Sequence, residues 1–421
     1  MNKKFFYLIS LVMLLSCNNS NNKLKVENFP TLDVTVGLNN LTKMNLTDFK
    51  SNIRYIRLET NANCLITNKI KGIYLEENKI FIHDREPFLK VFDANTGKYL
   101  YNIGSRGQGP GELPYLRHVD MNVKEKSIIL GWGKNYKYDF EGNYINSIIP
   151  PELPPSDSTD IISDRVVMLN ENLFSVGLYN MSDDHQINAV IIFDEQSNII
   201  NSLKSYDDYI QHPTIKTFSY YDQLGFYYRH KERINFFRGL CDTVYAFNPS
   251  SLNYEPQYCF SYGKHRRSRY YDHETTLNKD EIHVTKLGES DNSIFIDFWT
   301  NRASTEPYSE TIERMMGVAG NESRQIIERL NHSIYAVYDK QKNTFNFLLQ
   351  PIKGIKGLVN DIDNGIPFWP KYISSNNEFV DYFQSFDFIE YAEKIPNADD
   401  SFKKLLKEVN EDDNPIIIIA Y

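Results

Sequence analysis

Apolar and polar positions alternate along most of the chain in short runs, the pattern of strands whose two faces meet different surroundings. Aromatic residues make up 14% of the sequence, with 29 Tyr and 26 Phe, and such residues suit a pleated, half-buried surface. The clearest runs lie between Asn, Asp and Gly turns and are Lys79–His83, Ser127–Leu130, Ala189–Phe193, Ser293–Trp299 and Ser333–Tyr338. Many short strands in one long chain predict an all-β repeat architecture.

One hairpin unit recurs along the chain: a strand ends at an Asp, a tight turn follows, and another apolar strand begins. The clearest copies turn at Asp93, Asp139 and Asp194, and looser copies cover 242–258 and 336–347. The units begin near residues 68, 116, 164, 217, 282 and 355, a spacing that fits four-stranded blades with variable loops. The sequence therefore predicts a six-bladed β-propeller over residues 26–421.

The two ends of the folded region are predicted to close the ring. The early apolar run Ile53–Leu58 and the late run Pro415–Ala420 are suited to pair in one blade, which removes exposed sheet edges. Helical patterns are confined to insertions. They cover Phe402–Val409, Glu378–Glu393 and an excursion over Thr305–His332 in the fifth blade, which we expect to be helical or irregular.

The N-terminus has the pattern of an export signal. Residues 1–16 are predicted to be a signal peptide, because a basic start precedes an apolar run too short to span a bilayer as a helix. This run ends at Leu14-Leu15-Ser16-Cys17, which resembles the lipobox of bacterial lipoproteins and identifies Cys17 as the candidate lipidation site. The alternative is an ordinary secretory signal with a chance Cys. Residues Asn18–Lys23 form a polar, low-complexity stretch, and residues 17–25 are predicted to form a flexible tether.

These features predict a lipid-anchored protein of the cell envelope, whose partner is membrane lipid through acylated Cys17. We expect the anchor to lie in the outer membrane. Whether the protein faces the periplasm or the cell surface is left open, because no acidic run follows Cys17. The net charge of -9 argues against nucleic acid as a partner, since such binding depends on a basic stripe. The densest basic cluster, Lys264–Arg269, is interpreted as a solvated loop.

Three cysteines follow Cys17, namely Cys64, Cys241 and Cys259. They are too few for a disulfide scaffold, but an oxidising compartment makes pairing relevant. If 242–248 and 254–262 form a hairpin around Pro249–Ser251, residues whose numbers sum to 500 face each other, and Cys241 then faces Cys259. The sequence therefore predicts either a cross-strand Cys241–Cys259 disulfide or two buried free thiols.

The most specific motif of the chain directly follows the outer strand of the first predicted blade. Its residues are Gly104, Arg106, Gly107, Gln108, Gly109, Pro110, Gly111 and Glu112. Together with Tyr55–Thr60, Cys241–Tyr245 and Asn414–Ile419, this motif resembles the six-bladed β-propeller lipoproteins found widely in Bacteroidota. The resemblance covers nearly the whole mature chain. It implies the fold and the family but no activity, since that family has no established one.

The chemistry of the glycine motif does not match a phosphate-binding loop. Such a loop needs free backbone N–H groups and a helix start, whereas Pro110 removes one N–H, Pro114 breaks a helix, and no Lys-Ser/Thr follows. The motif is therefore interpreted as a tight crossover between blades. In this interpretation Gly supplies positive φ and Pro stiffens the turn, while Arg106, Gln108 or Glu112 bonds exposed backbone groups.

The sequence contains no recognisable catalytic or metal-binding motif. It has no Gly-x-Ser-x-Gly elbow, no His-x-His and no His-Glu-x-x-His, and we predict no catalytic residue, metal or cofactor. His83-Asp84 is interpreted as a blade-turn pair rather than a ligand pair. A metal site formed at the central channel by ligands from different blades remains an open alternative, because the spacing of residues in the sequence does not show which of them meet there.

Arg and Trp residues near predicted strand ends are candidate contacts with a ligand, since they bind sugars, peptides and carboxylates by stacking and bidentate hydrogen bonds. The candidates for the channel or its face are Arg85, Trp132, Arg238, Trp299, Arg302 and Trp369. The function predicted is a membrane-tethered envelope propeller that binds or scaffolds a protein, peptide or glycan. The alternative is a lactonase, lyase or hydrolase with its site at the central channel.

Overall fold

The chain forms a six-bladed β-propeller with few helices. The computed structural model describes residues 29–152, 161–180, 188–204, 225–238, 242–266, 280–300, 309–316, 323–330, 332–395 and 397–421. The predicted signal peptide, the tether and Cys17 lie outside these residues. The fold class predicted from the alternating pattern is confirmed.

The secondary structure of the described residues consists of short strands and three α-helices. In the first half the strands are β1 (Thr31–Asp33), β2 (Leu41–Thr42), β3 (Ile53–Arg57), β4 (Gly72–Glu76), β5 (Lys79–His83), β6 (Leu89–Asp93), β7 (Tyr99–Ile103), β8 (Ser105–Arg106), β9 (Glu112–Leu113), β10 (His118–Asn122), β11 (Ser127–Trp132), β12 (Lys134–Asp139), β13 (Tyr144–Ile148), β14 (Ile161–Met168), β15 (Leu173–Asn180), β16 (Asn188–Asp194) and β17 (Ile199–Lys204). In the second half they are β18 (Gly225–His230), β19 (Arg233–Arg238), β20 (Thr243–Asn248), β21 (Asn253–Ser261), β22 (Ile282–Glu289), β23 (Ser293–Thr300), β24 (Ser309–Met316), β25 (Ser323–Leu330), β26 (Ser333–Asp339), β27 (Thr344–Leu348), β28 (Tyr372–Ile373), β29 (Phe379–Phe383) and β30 (Ile416–Ala420). The helices are α1 (Val34–Asn39), α2 (Ser385–Glu393) and α3 (Asp400–Leu406).

Each blade is a sheet with four antiparallel strands. From the centre outwards, the blades are β4-β5-β6-β7, β10-β11-β12-β13, β14-β15-β16-β17, β18-β19-β20-β21, β22-β23-β26-β27 and β28-β29-β30-β3. The inner strands of the first five blades begin within eight residues of the predicted unit starts, but β28 begins at Tyr372 rather than near 355. An irregular segment with isolated bridges at Ile352, Ile355 and Leu358 precedes β28 and accounts for this difference.

The last blade closes the ring with strands from both ends of the described chain. The early strand β3 pairs antiparallel with the C-terminal strand β30, from Ile53 opposite Ala420 to Arg57 opposite Ile416. All five residues of β30 are buried. The predicted pairing of the two runs is confirmed, and it leaves the ring without an open seam.

Strands β1 and β2, which precede β3 in the sequence, each add a fifth strand to another blade. The sequence pattern does not predict these two strands. Strand β1 adds in parallel to β21 at the outer edge of the fourth blade, and β2 adds in parallel to β27 at the outer edge of the fifth. These strands have three and two residues, too few for a periodic pattern to be recognised. They cover two outer edges that would otherwise be open to pairing with another chain.

A carboxylate or amide side chain folds the turn after the third strand in several blades. Oδ1 of Asp93 accepts the backbone N–H groups of residues 95 and 96, at 3.0 and 2.7 Å. Asp139 and Asp194 make the corresponding bonds at 2.8–3.0 Å, as do Asp339 and Asn248 in later blades. A short acidic or amide side chain favours this turn because it reproduces a backbone acceptor. The repeated hairpin is thus confirmed, and this local hydrogen bond explains it.

The hydrophobic core is divided among the interfaces between blades. Six apolar clusters occupy the successive interfaces, and a seventh lies beneath α2 and α3. In the interface of the first two blades, the rings of Phe81 and Phe140 are fully buried, with centroids 5.4 Å apart. Successive side chains of a strand point to opposite faces, so each blade contributes to two interfaces. This arrangement explains why the runs are apolar on both faces in the middle of a blade.

Two of the predicted helical insertions differ in the structure. Within the predicted excursion Thr305–His332, β24 and β25 form an antiparallel hairpin in which Ile312 pairs with Ile327, so the helical interpretation is wrong. The spacing of its apolar residues suits both structures, and hairpin pairing prevails. The predicted segment Glu378–Glu393 begins as strand β29 and becomes helical only in α2. The Phe402–Val409 pattern corresponds to α3, in which Phe402 is buried.

Candidate functional site

The six blades surround a central channel with a volume of about 610 Å³. Its wall is formed by residues from the inner strand of every blade. The described lining contains seven Lys and Arg side chains but five Asp and Glu side chains, whereas the whole chain has a net charge of -9. The channel is therefore a comparatively basic region of an acidic protein.

A bidentate ion pair in the channel wall joins three blades. Nη2 of Arg229, on β18, donates to Oδ1 and Oδ2 of Asp120, on β10, at 3.0 and 2.8 Å. Asp120 also accepts the backbone N–H of Met168, on β14, at 2.8 Å, and Arg229 donates to the Met168 carbonyl at 2.7 Å. Hydrogen bonds between charged groups with this geometry are strong and directional. They hold the inner strands of blades 2, 3 and 4 in a fixed relation.

The other acidic groups of the lining accept hydrogen bonds as well. Glu76 accepts the hydroxyl of Tyr372 at 2.7 Å and the backbone N–H of Ser375 at 2.9 Å, and burial raises its pKa. Glu289 contacts Lys340 at 2.7 Å and Arg233 at 2.5 Å. Burial alone would raise the pKa of Glu289, but the two cations hold it below its ordinary value.

An aromatic pair positions a half-buried carboxylate between the last two blades. Nε1 of Trp369 donates to Oδ1 of Asp297 at 2.7 Å, while the indole stacks on Tyr335 with ring centroids 4.2 Å apart. Burial raises the pKa of Asp297, and the nearby Lys286 opposes this shift. These contacts fix the aromatic and carboxylate groups, so little rearrangement is needed before a ligand binds.

Two histidines of the channel are neutral at pH 7. Burial, followed by the charge of Lys71, lowers the pKa of His83 to about 4, and burial followed by Arg165 lowers that of His118 to about 3. The Nε2 of His83 lies 3.2 Å from the carbonyl oxygen of Leu116. Because a carbonyl only accepts, Nε2 carries the proton and donates, and Nδ1 is left as an acceptor.

A histidine and a carboxylate form a hydrogen-bonded pair on the fourth and fifth blades. Nε2 of His230 lies 3.1 Å from Oδ1 of Asp291, and both residues line the channel. Nζ of Lys231 lies 2.8 Å from the same Oδ1, and Nδ1 of His230 lies 3.7 Å from Glu289. Burial lowers the pKa of His230. A His–carboxylate pair of this kind can transfer protons when a substrate is placed against it.

The predicted channel contacts are mostly placed elsewhere. Of the five that are described, only Trp369 lines the channel. Trp132, Arg238 and Trp299 lie on β11, β19 and β23, the second strands of their blades. A second strand is separated from the centre by the inner strand, about 4.8 Å away, so its strand ends do not face the channel. Arg302 lies outside the described residues.

The four candidates that do not line the channel contact other parts of the protein or solvent. Trp299 stacks between His283 and His332, with ring centroids 5.1 and 5.5 Å apart. Trp132 is 45% exposed and packs edge-on against the ring of Tyr115. Arg238 is buried, and Arg85 is exposed. These four residues therefore do not line the channel, and a ligand contact at the face of the propeller stays a prediction for them.

The glycine motif connects the outer strand of the first blade to the inner strand of the second. Strand β8 pairs in parallel with β9, and the Oε2 of Glu112 accepts the N–H of Gly109 at 2.9 Å. Gly104 and Gly111 have φ values of 84° and 75°, which favour glycine. Arg106 forms an exposed ion pair with Glu86 at 2.9 Å. These contacts are internal to the loop and its neighbours, and the motif does not line the channel.

The side chains of His83 and Asp84 lie in different places, one in the channel and one inside the first blade. Only His83 lines the channel, whereas Asp84 is fully buried and bonds Nζ of Lys90 at 2.9 Å. Asp84 also accepts the backbone N–H groups of Thr67 and Glu86, both at 3.0 Å. Asp84 therefore stabilises the turn of the first blade.

The predicted cysteine register is wrong. Residue Cys259 lies opposite Thr243 rather than Cys241, because the β20–β21 hairpin has Asn248 opposite Asn253 and a bulge between Val244 and Tyr245. Cys259 is a free thiol whose Sγ lies 3.4 Å from Oγ1 of Thr31. Cys64 is buried and also free, and Cys241 lies outside the described residues.

The charged residues that do line the channel were missed by the sequence analysis. Asp120, Arg165 and Arg229 lie on the inner strands β10, β14 and β18. One signal could have indicated them: charges near the start of a blade, where the strand pattern otherwise calls for apolar residues. The predicted Arg and Trp contacts lie near the ends of strands in general, whereas these three charges lie on inner strands.

The described ranges contain neither a metal-ligand cluster nor a membrane-spanning helix. No three His, Cys, Asp or Glu side chains of these ranges lie close enough together to hold a metal ion. Within the same ranges, no helix has the length and apolar character needed to cross a membrane.

Comparison with solved structures shows the fold. A "Putative exported protein" from Bacteroides fragilis is 16% identical, with 94% of this chain and 99% of that chain covered and a TM-score of 0.62. A member of the duf4221 family from Bacteroides vulgatus is 8% identical over 88% of this chain and 96% of that chain, with a TM-score of 0.45. A search among curated proteins found no match. The family described as "Domain of unknown function (DUF4934)" matches residues 29–421, and the chain therefore belongs to this family.

Proposed function

We propose that this protein is a binding or scaffolding propeller of the cell envelope whose ligand enters the central channel. The observation that carries the proposal is the channel itself, which has a volume of about 610 Å³ and a wall of charged and aromatic side chains from six blades. Pockets for small ligands commonly have volumes of about 300–1,000 Å³. The channel suits a saccharide or a peptide segment, free or attached to a larger envelope protein.

Hydrogen bonds hold the side chains of the channel wall in place, which supports a binding function rather than a catalytic one. The Asp120–Arg229 pair and the Trp369–Asp297 hydrogen bond hold polar groups in place before a ligand arrives. A preorganised wall loses little conformational entropy on binding. Such a site selects a ligand by the placement of its charges and hydrogen bonds.

The channel proposal is tested with a bulky substitution in the wall. Thr285 is exposed, lies on β22 and lines the channel, so Thr285→Trp places an indole there. Thr344 is exposed on β27 of the same blade, away from the channel, and Thr344→Trp is the matched control. We expect arrays of glycans and of peptides to give signals that Thr285→Trp abolishes and Thr344→Trp retains. Signals unchanged by Thr285→Trp, or no signal from the parent protein, would refute the proposal.

We also propose that acylated Cys17 attaches the protein to a membrane. The support is the lipobox-like sequence before Cys17 and the name of the similar Bacteroides fragilis structure, an exported protein. In the native bacterium, the parent protein and a Cys259→Ser control should stay in the membrane fraction. Cys17→Ser should leave the protein in the soluble fraction of the cell extract. Equal membrane association of all three proteins would exclude lipid attachment through Cys17.

A second candidate function, an enzyme, is favoured by the His230–Asp291 pair. A hydrolase or lyase needs a group that transfers protons within reach of its substrate, and this pair lies in the channel with a separation of 3.1 Å. Turnover of a panel of lactones and nitrophenyl esters by the parent protein, lost in His230→Gln, would favour the enzyme. Absence of turnover, or turnover that His230→Gln leaves intact, would count against it.

A further inference from the structure

Arg165 places its guanidinium group in the wall of the central channel. It lies on β14, the inner strand of the third blade, and lines the channel in a half-buried position. Its Nε is buried and makes no hydrogen bond. Among the residues that the structure describes, none forms a hydrogen bond or an ion pair with this side chain. A buried donor left unpaired is costly, so its position calls for an acceptor.

The carboxylates that could neutralise Arg165 are already engaged. Both oxygens of Asp120 accept from Arg229, and one of them also accepts from Met168. Among the other described acids of the lining, Glu76 bonds Tyr372, Glu289 bonds Lys340, Asp291 bonds His230, and Asp297 bonds Trp369. The channel thus retains one guanidinium whose charge no described wall residue balances.

The surroundings of Arg165 can serve the uncharged part of a ligand. Its positive charge acts on Tyr74, His83 and His118, which line the same part of the channel. Both imidazoles are neutral at pH 7, and Nδ1 of His83 is an acceptor for a hydroxyl or amide N–H. The hydroxyl of Tyr74 can donate or accept. This part of the channel therefore combines positive charge, from Arg165 and Lys71, with neutral polar groups.

We propose that Arg165 binds a carboxylate group of the ligand, so that the channel selects ligands with a carboxylate over their uncharged analogues. This inference rests on the proposed binding function of the channel. The planar guanidinium fork matches the two oxygens of a carboxylate. The proposal commits to a carboxylate, and inorganic phosphate is the competing anion that the test includes. A sugar acid and the C-terminus of a peptide both supply the required group.

The test measures ligand binding to the purified protein by calorimetry. The probes are glucuronate, N-acetylalanine, glucose and inorganic phosphate, and the variants are Arg165→Gln, Arg165→Lys and the control Arg85→Gln. Arg85 is exposed and lies outside the channel lining. We expect at least one of the two carboxylates, glucuronate or N-acetylalanine, to bind the parent protein. Arg165→Gln should lower the affinity for that carboxylate about ten- to a hundredfold. Arg165→Lys should retain part of the affinity, and Arg85→Gln all of it.

The carboxylate that binds identifies the source, a sugar acid or a peptide end. Thermal unfolding of each variant shows whether it is folded. If Arg165→Gln does not fold, the parent protein still decides, since its affinity for the carboxylate should fall with added salt and exceed that for glucose or phosphate. Carboxylate binding that Arg165→Gln leaves unchanged, or binding of phosphate without either carboxylate, would overturn the inference. Binding of glucose alone, blocked by Thr285→Trp, would overturn it while leaving the proposed function intact.

Discussion

The buried amide side chain of Asn414, just before β30, bonds to the segment that follows β3. It is 1% exposed. Its Nδ2 donates to the carbonyl oxygens of Glu59 and Cys64, at 2.6 and 3.0 Å, and its Oδ1 accepts the backbone N–H of Ile66 at 2.8 Å. These three bonds connect residues about 350 positions apart. They satisfy backbone groups that no sheet ladder reaches.

The substitution Asn414→Ala should lower the free energy of unfolding by about 3 kcal/mol. It removes three hydrogen bonds, each with a net value of about 1 kcal/mol. The Cys64 carbonyl and the Ile66 N–H lose their side-chain partner, while the Glu59 carbonyl keeps only the Cys64 thiol, at 3.1 Å. The cost rises if water does not enter the space left by the amide, because the desolvation of each orphaned group is then uncompensated. The measurement is urea unfolding followed by tryptophan fluorescence. The exposed Asn410→Ala is the control, with an expected change within about 0.5 kcal/mol.

The substitution Asn414→Asp separates the hydrogen bonds from the packing, since it preserves the shape of the side chain. It keeps the acceptor for Ile66 but sets a carboxylate oxygen against two carbonyl oxygens, which raises the pKa of the new acid in the folded state. A folded pKa above the unfolded value of about 3.9 means that the variant gains stability as the pH falls through the folded pKa. A stability loss below about 1 kcal/mol for Asn414→Ala, or an Asn414→Asp variant as stable as the parent at pH 7, would refute the reasoning.

Three further predictions concern the blades and the channel. A Cβ at Gly97 would lie 1.9 Å from a backbone oxygen of β3, whereas one at Gly133, with the same φ of 70°, meets nothing within 4 Å; Gly97→Ala should therefore lower the urea midpoint much more than Gly133→Ala, and equal midpoints would refute the clash. Because burial lowers the pKa of His118 to about 3, the unfolded chain binds its proton first, and stability should fall as the pH falls below about 6.5; in urea titrations His118→Gln should flatten this dependence, and an unchanged slope would contradict it. Asp84→Asn leaves the ammonium of Lys90 buried at 4% side-chain exposure and should cost about 3–5 kcal/mol in urea unfolding, whereas a loss within about 1 kcal/mol would show that the pair is dispensable.

The fold could be predicted because its signals are local and repeated. Alternation marks the strands, and the Asp residues at the turns mark the hairpins, since each turn is fixed by a hydrogen bond within four residues. The closing pair was predictable because both partners are long apolar runs. The short strands β1 and β2 were not, because their pairing depends on edges formed by residues more than 200 positions away.

The candidate site was less predictable because it is made by the ring rather than by any segment. Asp120, Met168 and Arg229 are joined by hydrogen bonds across three blades, yet they are 48 to 109 positions apart in sequence. The Arg and Trp residues chosen from the sequence lie at strand ends, but the strand pattern does not distinguish an inner strand from the next one. Trp369 was found only because it lies close to the inner strand β28 of its blade.

The arrangement of charges relates the stability of the ring to the selectivity of the channel. If each cation of the channel had a carboxylate partner, the wall would be neutral and would offer a ligand only neutral hydrogen bonds. Asp120 accepts from Arg229 and from the backbone of the third blade, so it stabilises the ring and both of its oxygens are already engaged. Replacing Arg229 with Gln should therefore free Asp120 to pair with Arg165. That variant should lose carboxylate affinity although Arg165 is intact, a result that a merely structural role for Arg229 would not produce at equal stability.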